Sequence, residues 1–202
     1  MPTELLNPED QRRVKKISTS ILISLISASF NASAIDSVSI EGGHGEGVDV
    51  GRVGLQWDWG KQWFAAHGWH LGGYWDASAG VLHGRSGGPV NNDVGDFSVT
   101  PTLRYQQTDL TTLAPYFDAG VGAHLWTRTT ITESIRSGTA FQFGEHVGVG
   151  FRFGDRGIYD LSYRFQHMSN ASIKKPNHGV SLQLVRFQIH FNWIMQNLDK
   201  MA

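Results

Sequence analysis

The sequence predicts an all-β protein, an eight-stranded antiparallel transmembrane β-barrel. Three observations carry this. The N-terminus has the grammar of a removable export leader. The rest of the chain is a series of segments in which apolar and polar side chains alternate. No later run approaches the ~20 apolar residues that a spanning helix needs. An exported chain that enters a membrane without such a helix must do so as a closed barrel, because lipid cannot satisfy an open sheet edge.

The leader comes first. Arg12, Arg13, Lys15 and Lys16 form a basic patch. Ile17 to Phe30 is a run of 14 apolar and small residues, and Ala32-Ser33-Ala34 is an A-x-A cleavage pattern. Residues 1–34 are therefore read as a signal peptide and residues 35–202 as one barrel domain. The chain has 202 residues and no Cys, so no disulfide framework holds the exported fold. Its formal net charge is -1, which gives no reason to expect nucleic-acid binding.

Eight strands follow in order. They are Asp36–Glu46, Val48–Trp59, Gly68–Gly84, Gly95–Gln106, Ala114–Thr129, Thr139–Phe153, Ile158–Ser169 and Gly179–Trp193. Each is long enough for the ~9–11 residues of a tilted membrane strand. Trp57, Trp59, Trp63, Trp69, Tyr74 and Trp75 cluster in the second and third strands and their turn, as part of an aromatic girdle would. In the sixth, Phe141, Phe143, Glu145, Val147, Val149, Phe151 and Phe153 share one face. Gln142, Gly144, His146, Gly148, Gly150 and Arg152 share the other. In the eighth, Val185, Phe187, Ile189, Phe191 and Trp193 alternate with Arg186, Gln188, His190 and Asn192. Glycine at inward positions suits a narrow lumen packed with polar side chains. A soluble sandwich with a Trp-rich core is the alternative, and the leader and the polar opposite faces argue against it. Gly154-Asp155-Arg156-Gly157 is a short turn, hence periplasmic. The loops His83 to Asp93 and Asn170 to His178 are long and polar, hence extracellular.

The seventh strand holds the chemistry. Tyr159, Leu161, Tyr163, Phe165, His167 and Ser169 share one face, while Asp160, Ser162, Arg164 and Gln166 share the other. In a barrel the first face meets lipid. It ends in a His and a Ser at positions i and i+2, same-face neighbours at the level of the outer leaflet. A Ser hydroxyl needs a base to take its proton, and His is the usual one. H-x-S is common by chance, so the pair taken alone favours an interfacial His beside a structural Ser. His44, His67, His70, His83, His124, His146, His178 and His190 show no metal-ligand spacing with nearby carboxylates. No metal and no cofactor are expected.

His167-Met168-Ser169-Asn170-Ala171-Ser172-Ile173-Lys174-Lys175-Pro176-Asn177 resembles the signature of the lipid A 3-O-deacylase family (PagL type). Val53 to Trp59, Gly73 to Ala77, Pro115 to Gly122 and Phe141 to Phe153 resemble that family's second, third, fifth and sixth strands. The resemblance implies an eight-stranded outer-membrane barrel that hydrolyses the ester-linked acyl chain at position 3 of lipid A, the anchor of lipopolysaccharide. It implies a serine-type ester hydrolase with Ser169 as nucleophile and His167 as general base. Asn170 and the loop backbone near Ser172 and Asn177 would stabilise the oxyanion. A wall from Phe141, Phe143 and Phe165 would hold acyl chains. Lys174 and Lys175 have two readings, as solvated loop residues or as contacts for lipid A phosphates. A homodimer is one arrangement such a barrel allows.

Two positions depart from the family pattern. Ser172 stands where the family has Gly. Ser181 stands where it has the third catalytic residue, a Glu, and no Asp or Glu occurs from Leu161 to Leu198. Strand pairing offers a substitute. If Phe153 is opposite Tyr159, Arg152 faces Asp160 in the lumen as a favourable charge pair. The same register sets Glu145 opposite His167 on the outward face, where it has two readings: a replacement acid, or a headgroup-level carboxylate that shapes the substrate groove or binds a cation. The missing carboxylate also leaves open a non-catalytic barrel, either a degenerate relative or a structural lipopolysaccharide binder. A small-solute channel ranks below both, because an eight-stranded barrel has a filled interior.

Overall fold

The computed structural model describes residues 35–85, 93–110 and 113–191. The leader reading of residues 1–34, and Asn192, Trp193 and the tail beyond them, lie outside the described residues. Nine strands form among the described residues: β1 (Ser37–Gly45), β2 (Val48–Asp58), β3 (Trp63–Ala66), β4 (Trp69–Gly84), β5 (Asp93–Gln107), β6 (Ala114–Trp126), β7 (Phe141–Phe153), β8 (Tyr159–Ser169) and β9 (Val180–His190). Every pairing is antiparallel. β2, β1, β9, β8, β7, β6, β5 and β4 are neighbours in that order, and β2 pairs with β4 to close the ring. The eight long strands are thus an antiparallel barrel with no free edge. The short β3 was not foreseen. It pairs with β4 at Trp63↔Leu71 and Ala66↔Trp69, prolonging the β2 side of β4 after a break in register. A short 3₁₀ turn at Asp155–Gly157 joins β7 to β8.

The outward positions are apolar and the inward ones polar over most of the wall. Ile40, Val53, Phe117 and Val147 are each about 60% exposed, as a lipid-facing surface requires. Trp59 packs edge-on against Trp63 and Trp75, and Trp69 stacks on Tyr105, all at the end where β1 starts and β9 finishes. Tyr74 does not join this girdle. It is adjacent to Trp75 and so faces the other way. It is 2% exposed, and its hydroxyl donates to Asp118 in the lumen at 2.9 Å.

The lumen is filled by a charged network. Arg104 bonds Asp160 at 2.8 Å and Asp118 at 3.2 Å, Arg164 bonds Asp118 at 2.9 Å, and Arg52 bonds Asp96 at 3.1 Å. Arg186 pairs with Asp76. The inward glycines of β7 make room for these groups. A Cβ at Gly144 would lie 2.4 Å from His124, and one at Gly148 would lie 2.4 Å from Asp118. Arg152 does stand opposite Asp160, as the sequence predicts, but the expected pair does not form. Arg104 reaches Asp160 from across the lumen, and Arg152 Nε donates instead to the Gly157 carbonyl at 2.9 Å.

The end of the lumen nearest Ser169 is apolar. Val48, Leu82, Val94, Trp126, Met168, Val180 and Leu182 line it, and Ile131 and Ile135 of the loop between β6 and β7 fold down onto them. Below this plug, the void among the charged residues is about 20 Å³. That is room for about one water, so this part of the lumen is filled; a wider cavity of about 200 Å³ lies nearer the other end, lined by Asp58, His70, Arg104, Arg152 and His190.

Candidate active site

Strand parity delivers the outward pair. Along β8, Asp160, Ser162, Arg164, Gln166 and Met168 are buried in the lumen, while His167 and Ser169 are half-buried on the outer wall. The register with β7 is the one predicted, with Phe153↔Tyr159, Glu145↔His167 and Phe143↔Ser169. On the other flank, β9 sets Ser181 opposite His167. Phe143 therefore stands beside the nucleophile, packed edge-on against Phe141, with Phe165 exposed one step below His167. An acyl chain entering from the bilayer would meet these rings.

The imidazole is held from the β9 side. His167 Nδ1 lies 2.9 Å from Ser181 Oγ. The tautomer that leaves Nε2 free as a base has Nδ1–H donating to that hydroxyl. The Nε2 edge lies over Gly179, where a Cβ would fall 3.0 Å from Cε1 and 3.1 Å from Nε2. Gly179 also has φ 68°. A side chain there would displace the ring. Glu145 occupies its predicted register position on the β7 flank, yet makes no hydrogen bond to the ring, whose Nδ1 is already taken. The hydrogen-bonding place of the third residue thus belongs to a hydroxyl. His167 and Ser169 themselves are same-face neighbours without a hydrogen bond between them. Ser169 Oγ instead accepts weakly from the Ala171 N–H at 3.4 Å.

The loop after Ser169 opens with a tight, hydrogen-bonded turn. Ala171 and Ser172 have φ 50° and 60°, and the Ile173 N–H closes onto the Asn170 carbonyl at 3.0 Å. A φ near 60° is in the left-handed region that an L-residue enters at a cost of about 1–2 kcal/mol. Ser172 can therefore stand where the resembled family has Gly. Its N–H has no acceptor among the described residues. Asn170 departs from its expected role. It follows Ser169 and so points inward, fully buried. Its side-chain amide donates to Ser137 Oγ at 3.0 Å and to the Lys174 carbonyl at 2.7 Å. Asn177 Oδ1 accepts the Asn170 N–H at 2.9 Å. Both asparagines are committed to the shape of the loop.

Sequence reasoning did not find the brace on the other side. The loop of residues 127–140 meets the Ser169 loop through a Ser137↔Asn177 bridge, a Gly138 N–H to Pro176 carbonyl bond of 2.6 Å and a His178 N–H to Arg136 carbonyl bond of 3.2 Å. No local pattern marks Ser137, since it acts through a contact made only by folding. Gly179 was findable: the β8–β9 register, continued one step past Met168↔Val180, sets it opposite Ser169. Among the described residues, no group of His, Asp and Glu side chains is arranged to hold a metal ion.

The family and the fold recur among known proteins. The sequence model of the lipid A 3-O-deacylase (PagL) family matches residues 49–190. The lipid A deacylase PagL of Pseudomonas aeruginosa is 28% identical over 159 residues, covering 79% of this chain and 88% of that protein. The lipid A deacylase PagL of Bordetella bronchiseptica is 38% identical over 76 residues, covering 38% of this chain and 41% of that one. The crystal structure of the outer membrane enzyme PagL superposes with a TM-score of 0.67 at 27% identity, over 76% of this chain and 98% of that structure. A family match over most of the barrel, an eight-stranded ring of the same architecture and an outward His-x-Ser pair at the end of β8 point one way: the chain belongs to the lipid A 3-O-deacylase (PagL) family.

Proposed function

We propose that this protein is an outer-membrane hydrolase that removes the 3-O-linked acyl chain of lipid A, with Ser169 as nucleophile. His167 Nε2 takes the proton from Ser169 Oγ as that oxygen attacks the ester carbonyl. Such pairs are often long until substrate arrives. The tetrahedral oxyanion forms beside the unengaged Ser172 N–H, and a donor of this kind contributes about 2.7–4 kcal/mol in comparable sites. The tetrahedral intermediate collapses, the sugar 3-oxygen leaves with the proton held by His167, and water then cleaves the acyl-serine by the same route. The products are a free 3-hydroxyl on the sugar and a fatty acid. Ser181 orients the ring through Nδ1, and Asn170 and Asn177 keep the oxyanion turn in shape. Glu145, in register on the other flank, places a carboxylate near the imidazolium and favours it through space. The site is assembled from one chain, so a homodimer is not needed to complete it.

The observation that carries the reading is parity. A base and a hydroxyl emerge into lipid among aromatic rings, while every charged residue of the same strand turns to the lumen. Mass spectrometry of lipid A from cells expressing the protein tests it. Loss of one 3-hydroxyacyl chain, abolished by Ser169→Ala in a barrel that still folds, is the expected result. An unchanged lipid A mass under good expression would favour a non-catalytic barrel that binds lipopolysaccharide.

A further inference from the structure

The extracellular rim is asymmetric in charge. On the side away from the site, the cationic groups already have acidic partners. Arg85 bonds Asp49 at 3.0 Å and His83 bonds Asp93 at 2.8 Å. Over the site the balance differs. The loop of residues 127–140 carries Arg128, Glu133 and Arg136, and the loop of residues 170–179 carries Lys174, Lys175 and His178. The side chains of Arg136, Lys174 and Lys175 are exposed, and none has an ion-pair partner among the described residues. Isolated solvated cations on mobile loops would mean little. These three are carried by backbone that is hydrogen-bonded at Arg136, at Lys174 and at Pro176 next to Lys175. The Arg136 N–H meets His178 Nδ1 at 3.3 Å, and its carbonyl accepts from the His178 N–H. The Lys174 carbonyl accepts from the buried Asn170 amide, and the Pro176 carbonyl from Gly138. Gly138 is pressed so close to the lysine backbone that a Cβ would lie 2.4 Å from the Lys174 carbonyl oxygen. The residue that fastens Lys174 is Asn170, directly after Ser169. The cations thus ride on the same braced unit as the nucleophile.

We infer that Arg136, Lys174 and Lys175 form a phosphate-binding platform that seats a phosphoryl group of the substrate above the bilayer while Ser169 meets the ester below it. This rests on the reading of the site as a lipid A deacylase and names the headgroup chemistry that site selects. Arg offers a planar fork suited to phosphate oxygens and Lys a movable point charge. Three net positive charges on a fixed backbone fit a phosphomonoester better than a neutral sugar. Because the platform spans two loops bonded to each other beside Ser169, phosphate binding sets the height of the sugar relative to the hydroxyl. Binding at a distance from the reacting bond then serves to orient it.

The test uses the full-length protein in detergent micelles with two substrates, bisphosphorylated lipid A and the same lipid A with both phosphates removed. Wild type is expected to show a KM at least tenfold lower for the phosphorylated substrate. The Arg136→Gln/Lys174→Gln/Lys175→Gln variant is expected to lose that preference with kcat changed less than threefold. Inorganic phosphate at millimolar levels should compete weakly, and phosphatidylglycerol should compete no better than inorganic phosphate. Equal KM values for the two substrates in wild type would overturn the proposal. So would a variant whose KM rises equally for both, or phosphatidylglycerol competing as well as phosphorylated lipid A. Binding of both lipids to the Ser169→Ala protein, followed by tryptophan fluorescence, separates the two readings. A phosphate preference there, with no turnover in wild type, would sink the enzyme and leave the platform standing. No preference there, with normal turnover in wild type, would sink the platform alone.

Discussion

Gly179→Ala is the sharpest perturbation of the site that leaves its reacting groups in place. The new methyl would sit 3.0 Å from Cε1 and 3.1 Å from Nε2 of His167. Ordinary carbon contacts lie at about 3.5–4.0 Å, so the ring must retreat by roughly 0.5–1 Å. Its other edge is tied to Ser181, which limits where it can go. A misplacement near 1 Å at a reacting centre costs on the order of 10²-fold. The expected loss in kcat is therefore about 10- to 100-fold. Residue 179 also has φ 68°, which costs an alanine about 1–2 kcal/mol whatever its neighbours. Gly68→Ala separates the two effects. Gly68 has φ 76°, lies at the far end of the barrel, and has open space where its Cβ would be. Both variants should lose similar thermal stability by circular dichroism, and only Gly179→Ala should lose deacylation of lipid A in micelles. Turnover of Gly179→Ala within twofold of wild type, in a folded barrel, would refute the claim that ring placement against this glycine controls the base.

Two further outcomes follow from the imidazole's neighbours. Ser181→Glu replaces a neutral hydrogen bond on Nδ1 by a charge-assisted one, a gain of about 1–1.5 kcal/mol, so kcat should rise by roughly tenfold. No rise, in a folded protein that still binds lipid A, would mean that the hydroxyl is not standing in for an acid. Glu145→Gln keeps size and removes charge from the opposite flank. A several-fold drop in kcat with KM unchanged is expected, and unchanged turnover would remove Glu145 from the site.

The barrel was legible because its cause is local. A strand sends alternate side chains to opposite faces, so the run Tyr159 to Ser169 by itself separates lipid-facing from lumenal residues. The short turn Gly154–Gly157 then leaves the two flanking strands one plausible register. Glu145↔His167 and Phe143↔Ser169 follow from those two facts and are found as predicted. Tyr74 was assigned to the girdle by composition against its own parity, and parity won. The apolar plug was not foreseen, because only folding brings Ile131 and Ile135 of a distant loop together with inward Leu182 and Leu184.

Alternation along the chain determined the fold class, the outward emergence of His167 and Ser169, and the residues they face across each strand. Tertiary structure alone decided which neighbour each polar group chose. Asp160 takes Arg104 rather than its cross-strand Arg152, Asn170 takes Ser137 rather than an oxyanion, and His167 takes Ser181 rather than Glu145. Parity assigns a side chain to a face. The partner depends on distances across the lumen and between loops, which arise only when the ring closes.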